Sequence, residues 1–237
     1  VTGNTNPNLF GGAPFISSNG TLQYSALANA AGTATVTVVA KDFSGTSNGG
    51  QDTSAPQTFT ITITAVNDGP IHFVPFTQLG SQNTPRVFSA VSGNRITISD
   101  ADSGNDPIRT TLTATDGTIT LPSIAGLTFS TGDGTGDVTM TFTAPLATIN
   151  TCMNGLTFTP TTGFTGNATL QIITNDQGFT GTGGPLSDND VITITVSPGG
   201  SIQFSSATYS VTEGGGNAVI TISRVNGSSG SATVLFE

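Results

Sequence analysis

The chain carries one alternating strand pair twice. Ala34-Thr-Val-Thr-Val-Val-Ala-Lys41-Asp42 runs through a Gly-rich loop into Phe59-Thr-Ile-Thr-Ile-Thr64, and Ala168-Thr-Leu-Gln-Ile-Ile-Thr-Asn175-Asp176 runs through another into Val191-Ile-Thr-Ile-Thr195. Apolar residues at alternate positions mark strands with one buried face, because successive side chains of a strand point to opposite sides. The copies lie about 130 residues apart, far beyond the period of a solenoid unit, so each belongs to a whole domain. The sequence therefore predicts an array of β-modules. In both copies an Asp ends one strand just before a loop, and further Asp residues stand at the next boundary, a placement that suits calcium at module ends.

Composition agrees with that architecture. Thr makes up about a fifth of the chain, the usage of β-branched strands. There are 31 Gly against 5 Lys+Arg, and 8% of residues are charged, which fits strands joined by tight turns. Helix is not expected. Apolar content of 35% implies thin cores, as in a sandwich where alternate residues face water. The predicted fold class is all-β, built of tandem antiparallel β-sandwich modules.

Charge narrows the partners. A net charge of −9 excludes nucleic acid, which needs clustered Lys and Arg. Cations are favoured instead. Of the 14 acidic residues only Glu213 and Glu237 are Glu, and the remaining Asp are short carboxylates concentrated in turns. Cys152 is the single cysteine, so no intrachain disulfide forms and a buried apolar role is expected. No apolar run is long enough to span a membrane. The chain starts at Val1 without a Met or signal-like segment, as expected of a processed product or an excerpt of something larger.

Three modules are predicted. The first covers 1–70 and closes at Asn67-Asp68-Gly69-Pro70; the second covers 71–197; the third covers 198–237, after Ser197-Pro198-Gly199-Gly200 breaks the pattern. Strands are expected over 20–24, 34–40, 58–66, 86–91, 94–99, 108–114, 137–143, 156–159, 167–174, 190–196, 202–204, 208–212, 218–223 and 232–236. Asn19-Gly20, Asp116-Gly117, Asn154-Gly155 and Asn226-Gly227 are read as hairpin turns, where positive φ gives the matching twist. A sandwich needs about seven strands, so the first and third modules are expected to be incomplete. Their open edges then require chain beyond these residues, or strands from a neighbouring subunit.

Ser99-Asp-Ala-Asp-Ser-Gly104, Leu127-Thr-Phe129, Gly132-Asp-Gly-Thr-Gly-Asp137, Met140-Thr-Phe-Thr143, Leu156-Thr-Phe-Thr-Pro160 and Asn175-Asp-Gln-Gly178 give the second module its character. Together they resemble the cadherin-like repeats of large bacterial surface and secreted proteins. The resemblance makes Asp100 and Asp102 the central acidic pair of that family, and makes Val66-Asn67-Asp68-Gly69-Pro70 its calcium-binding linker. The first module is similar to bacterial Ig-like and cadherin-like repeats lacking their opening strands. Residues Tyr209-Ser-Val-Thr-Glu213-Gly-Gly-Gly216 and Val219-Ile-Thr-Ile-Ser-Arg224 resemble the first part of a Calx-β repeat, in which Glu213 falls on an acidic position used for calcium.

Calcium takes about six to eight oxygens, so several residues must converge. At the first boundary the expected set is Asp42, Asp52, Asn67, Asp68, Asp100 and Asp102. Asp100 and Asp102, two apart at a strand end, put their carboxylates on one side. Asp176 repeats Asp42 and pairs with Asp188 or Asp190 toward the third module.

Competing motifs fail on context. Asp100-x-Asp102-x-Gly104 opens like an EF-hand loop, but position twelve is Thr111 and no helices flank it. Residues 132–137 approach a calcium-binding β-helix repeat, yet one copy cannot stack, so a hairpin is expected. Gly45-Thr-Ser47-Asn-Gly49 fits a nucleophile-elbow pattern without the helix that pattern requires. His72, the sole histidine, is read as structural or as part of the linker.

The expected function is therefore non-enzymatic: a calcium-stiffened segment of an extracellular or cell-surface bacterial protein, serving adhesion to a cell-surface ligand or building a fibre. A second reading is a head-to-tail homo-oligomer, a filament joined by strand complementation. A third is an accessory region of a secreted hydrolase.

Overall fold

A computed structural model describes residues 1–43, 45–227 and 233–235. The protein is all-β, with several sheets and a single α-helix among the described residues. It forms two compact units, one made of Val1–Asp68 with Gly178–Leu186, the other of Gly69–Gln177 with Ser187–Glu237.

The first unit contains β1 (Gly3–Asn4), β2 (Phe15–Ile16), β3 (Leu22–Gln23), β4 (Gly32–Val38) and β5 (Gln57–Ile63). The order β1-β4-β5 makes an antiparallel sheet, and β2 and β3 form a separate hairpin. Alternation decides which face is covered. Ala34, Val36 and Ile61 point inward and pack with Leu9 and Phe10, which the short 3-10 turn Pro7–Leu9 delivers to the sheet. The segment 178–186 joins this unit through backbone bonds: Asn67 N–H donates to the Thr182 carbonyl (2.8 Å) and Thr182 N–H to that of Ala65 (3.0 Å). Gly181 makes the approach feasible, since at its φ of +75° a Cβ would sit 2.7 Å from Asn67 N.

The second unit begins with β6 (Ile71–Phe73), β7 (Gln78–Ser81), β8 (Arg86–Phe88) and β9 (Thr97–Ser99). It continues with β10 (Pro107–Ala114), β11 (Gly117–Thr120), β12 (Thr128–Thr131), β13 (Thr139–Pro145), helix α1 (Leu146–Met153) and β14 (Leu156–Pro160). Then come β15 (Gly166–Asn175), β16 (Ser187–Ser197), β17 (Ser201–Phe204) and β18 (Ile222–Val225). One sheet has the order β12-β13-β10-β15-β16-β7, antiparallel except for the parallel pair β16 and β7. A smaller sheet, β11-β14-β8, supplies the facing layer, and β6 pairs with β9.

The core between these layers follows the period of two. Ile108, Leu112, Met140, Phe142, Ala168, Leu170, Ile192 and Ile194 come from the large sheet, and Phe88, Ile119, Leu156 and Phe158 from the smaller one. Their intervening neighbours, largely Thr, face outward. Gly117 lies so near Phe158 that a Cβ there would meet the ring at 2.5 Å.

The duplicated sequence is a duplicated hairpin. In the first unit Ala34 pairs with Ile61 and Val36 with Phe59; in the second Ala168 pairs with Ile194 and Leu170 with Ile192. The hairpin at 132–137 also forms, joining β12 to β13, with the Asp137 carboxylate accepting from Asp133 N (3.1 Å) and Gly134 N (2.8 Å).

Other expectations need correction. Helix was not expected, yet α1 spans eight residues: Ile149, Cys152 and Met153 form a buried helical stripe hidden in a Thr-rich context. Asp116-Gly117 turns the chain, with Asp116 at φ 54°, but it passes from one sheet to the other rather than closing a hairpin. Asn154-Gly155 connects α1 to β14 and is likewise no hairpin. No strand forms over 208–212, and β18 starts only at Ile222. Of the strand expected at 232–236, Ala232 and Phe236 lie outside the described residues, and 233–235 are not a strand.

Candidate metal centre

The inward face of β16 does not stay apolar along its length. Val196, Ile194 and Ile192 face the core, and the same alternation continues to Asp190 and Asp188. Neighbouring β15 behaves alike: Ala168, Leu170 and Ile172 are followed on the same face by Thr174 and then Asp176, both buried. In the ladder Thr174 stands opposite Asp188 and Ile172 opposite Asp190. Thr110 and Thr174, fully buried, satisfy each other through their hydroxyls at 3.2 Å. One end of this core is thus polar.

His72 covers the acidic part of that end. Its side chain is fully buried, with Nδ1 lying 3.5 Å from Asp188 Oδ2 and 3.3 Å from Asp190 Oδ2. Neither contact meets hydrogen-bond geometry, and neither ring nitrogen has a hydrogen-bond partner of good geometry among the described residues. The backbone is better served, since His72 N–H donates to Asp188 Oδ2 at 2.7 Å and Asn189 N–H to Asp188 Oδ1 at 2.8 Å. Burial lowers the His72 pKa from its ordinary value, while the carboxylates of Asp188 and Asp190 pull it the other way. The two carboxylates keep about a third of their side-chain surface in solvent (31% and 38%), so the cluster is open on their side.

A second acidic feature lies in the turn after β9. Asp100 Oδ1 accepts the N–H groups of Asp102 (3.1 Å) and Ser103 (3.0 Å), a local Asx-type turn that fixes the carboxylate. Its Oδ2 is buried without a hydrogen-bond partner among the described residues, as is Ser103 Oγ. Burial raises the Asp100 pKa, and the neighbouring Asp102 carboxylate adds to the rise against the two backbone donors. Two ionised carboxylates are acceptors only, so they can share a proton or a cation but cannot bond each other. A buried carboxylate oxygen without a donor fits a hard cation that takes oxygen ligands, as the calcium reading requires.

The remaining expected ligands lie on other elements. Asp42 N–H donates to the Asp52 carbonyl (2.9 Å), and the Asp52 carboxylate is already engaged by Thr53 Oγ1 (3.0 Å) and Lys41 Nζ (3.9 Å). Asn67 is buried and gives its amide N–H to the Gly184 carbonyl at 3.0 Å. Asp68 closes the main stretch of the first unit. Asp42 is exposed although its repeat counterpart Asp176 is buried. Glu213 is exposed on a turn ahead of β18. Ser47 opens a 3-10 turn, Ser47–Gly49, rather than a strand-to-helix elbow.

The histidine is the residue that sequence reasoning placed in a structural role. Its signal was available in β16, where carboxylates at 188 and 190 sit in phase with Ile192, Ile194 and Val196 and so must face something polar. No protein-family model matches the chain, and no curated protein matches it. Among the described residues no helix is long and apolar enough to cross a membrane.

Proposed function

We propose that this chain is a non-enzymatic structural segment of a secreted or cell-surface bacterial protein, with calcium-stiffened β-sandwich modules that serve adhesion or an extracellular fibre. The observation that carries the reading is Asp100, whose inner carboxylate oxygen is buried without a donor beside a second carboxylate. Such an arrangement is unfavourable alone and is relieved by a divalent cation. The acidic chain, with its net charge of −9, attracts cations generally. Ser47 lies on a 3-10 turn and His72 is buried in a strand, an arrangement that supports a structural rather than a hydrolytic role.

The test is a sign reversal. In chelator, Asp100→Asn should unfold at or above the temperature of the unsubstituted protein, because it removes a poorly solvated charge. In excess calcium the order should invert, since the unsubstituted protein gains about 2.7 kcal/mol when free ion is 100 times its dissociation constant. Identical melting of both proteins in both buffers would refute calcium at Asp100.

A second reading, assembly into a filament by strand complementation, rests on the ribbon of β17 and β18. Ile202 and Phe204 of β17 are exposed (39% and 61%), β17 and β18 pair only with each other among the described residues, and a two-stranded ribbon alone is marginal in water. Pairing with a strand of another copy would cover it. Concentration-dependent sedimentation that Phe204→Ser abolishes supports this reading, and a monomer at all concentrations removes it.

A further inference from the structure

We propose that His72, Asp188 and Asp190 form a binding site for a zinc-class divalent cation, distinct from any calcium site. The three side chains bring one nitrogen and two carboxylate oxygens to within 4.8 Å of one another. An acidic pair alone would carry no such weight. The independent observation is His72: it is 7% exposed, its side chain is wholly buried, Nε2 has no hydrogen-bond partner among the described residues, and Nδ1 faces the two carboxylates without a well-formed hydrogen bond. A buried imidazole without hydrogen bonds is costly in a core, where an apolar side chain of similar size would pack without penalty.

The donor set selects the metal class. Calcium takes hard oxygen ligands, whereas zinc is commonly bound by imidazole and carboxylate together. With metal–ligand bonds of about 2.0–2.1 Å, the corners of a tetrahedron lie about 3.4 Å apart. His72 Nδ1 stands 3.3 Å and 3.5 Å from the two Asp Oδ2 atoms. The Asp188 carboxylate is oriented by two backbone N–H groups, and each of its oxygens has a second acceptor position left over. That is the support a ligating carboxylate receives from its surroundings in metal sites. Burial favours the neutral ring, the form that binds metal. Three protein ligands leave a fourth position for water, and the partly exposed aspartates give the ion a way in.

The consequence is a staple. His72 lies on β6 and the aspartates on β16, so a bound ion would tie the opening strand of the second unit to a strand of its large sheet. This does not depend on the calcium reading.

The sequence makes the test clean, because His72 is the only histidine and Cys152, the only cysteine, is buried. The full 237-residue chain, stripped with chelator, is titrated by calorimetry with zinc chloride and, separately, with calcium chloride. Cobalt(II) is followed by its visible absorption. The expected result is one zinc per chain and an intense cobalt spectrum of tetrahedral type. His72→Phe and Asp190→Asn should each weaken zinc at least about tenfold, and Asp102→Asn should leave it unchanged. His72→Phe keeps an aromatic ring at the buried position, and Asp190→Asn acts at a partly exposed one, so far-UV circular dichroism should show both variants folded. Calcium binding at Asp100 should ignore both substitutions, which separates failure here from failure of the calcium proposal. Absence of stoichiometric zinc binding overturns the assignment, and so does zinc binding that survives His72→Phe and Asp190→Asn.

Discussion

Asn150 grips Ile98 with both ends of its side-chain amide. Its Oδ1 accepts the Ile98 N–H at 2.9 Å and its Nδ2 donates to the Ile98 carbonyl at 2.8 Å, so a residue of α1 stands in for a neighbouring strand beside β9. Ile98 itself is 3% exposed. Removing the amide would leave two backbone groups without partners in a place water reaches poorly. Asn150→Ala should therefore cost about 2–6 kcal/mol, at about 1–3 kcal/mol for each orphaned group. Urea unfolding monitored by circular dichroism reads this as a lower midpoint at unchanged slope. Asn150→Asp, which keeps the acceptor but faces the Ile98 carbonyl with a second oxygen, should be no better.

Gly117 gives a second test, at the crossing from one sheet to the other. An added Cβ would meet the Phe158 ring at 2.5 Å and the Thr159 carbonyl oxygen at 2.6 Å, and the latter cannot rotate away. Gly117→Ala should destabilise by about 1–3 kcal/mol, the cost of overpacking a filled site. Gly12→Ala, where nothing lies within 4 Å and φ is not positive, should be within about 0.5 kcal/mol of neutral.

Stability should depend on pH through Asp100. Its folded-state pKa is raised, first by burial, so the folded protein holds this proton more tightly than the unfolded chain does. The corresponding stability is complete below the ordinary aspartate value and is lost as pH rises through the raised one. Denaturation in chelator should find Asp100→Asn gaining on the unsubstituted protein between acidic and neutral pH. Parallel curves for the two proteins across that range would contradict the prediction.

Burial also raises the Cys152 thiol above its ordinary value of 9.0. The protonated thiol is the unreactive form, and its Sγ approaches the Ala125 carbonyl at 3.5 Å. A disulfide reagent at pH 8 should modify the native protein at least about a hundredfold more slowly than the urea-unfolded chain, because reaction must wait for opening. Rapid native labelling would show that the packing around α1 is open.

What the sequence made legible was whatever repeats with a short period. Ala34 and Val36, like Ala168 and Leu170, stood out because a period of two survives in any strand with one buried face, and the structure pairs both with apolar residues on the same kind of hairpin. Helix α1 was hidden because its stripe is only eight residues long and set among Thr residues, and its stability comes from packing Ile149 and Met153 into the sandwich rather than from propensity. Asp116-Gly117 misled for a related reason: positive φ reverses the chain equally well whether the next strand pairs back or changes sheet. At the candidate centre Asp188 and Asp190 were visible as residues. Their partner was not, because His72 lies 116 residues from Asp188 and only the pairing of distant strands brings the two together.

The loop 178–186 has a bearing on inheritance. It belongs with the first unit although β15 and β16, which flank it, belong to the second, so the backbone changes unit at 68/69, 177/178 and 186/187. A gene fragment ending at Asp68 encodes the first unit without one of its own pieces, and a fragment starting at Gly69 carries that piece away. Recombination that trades one unit for a homologous cassette at a single crossover would break both. The two units are therefore expected to have travelled through evolution as an indivisible pair, unlike beads on a string that shuffle one at a time.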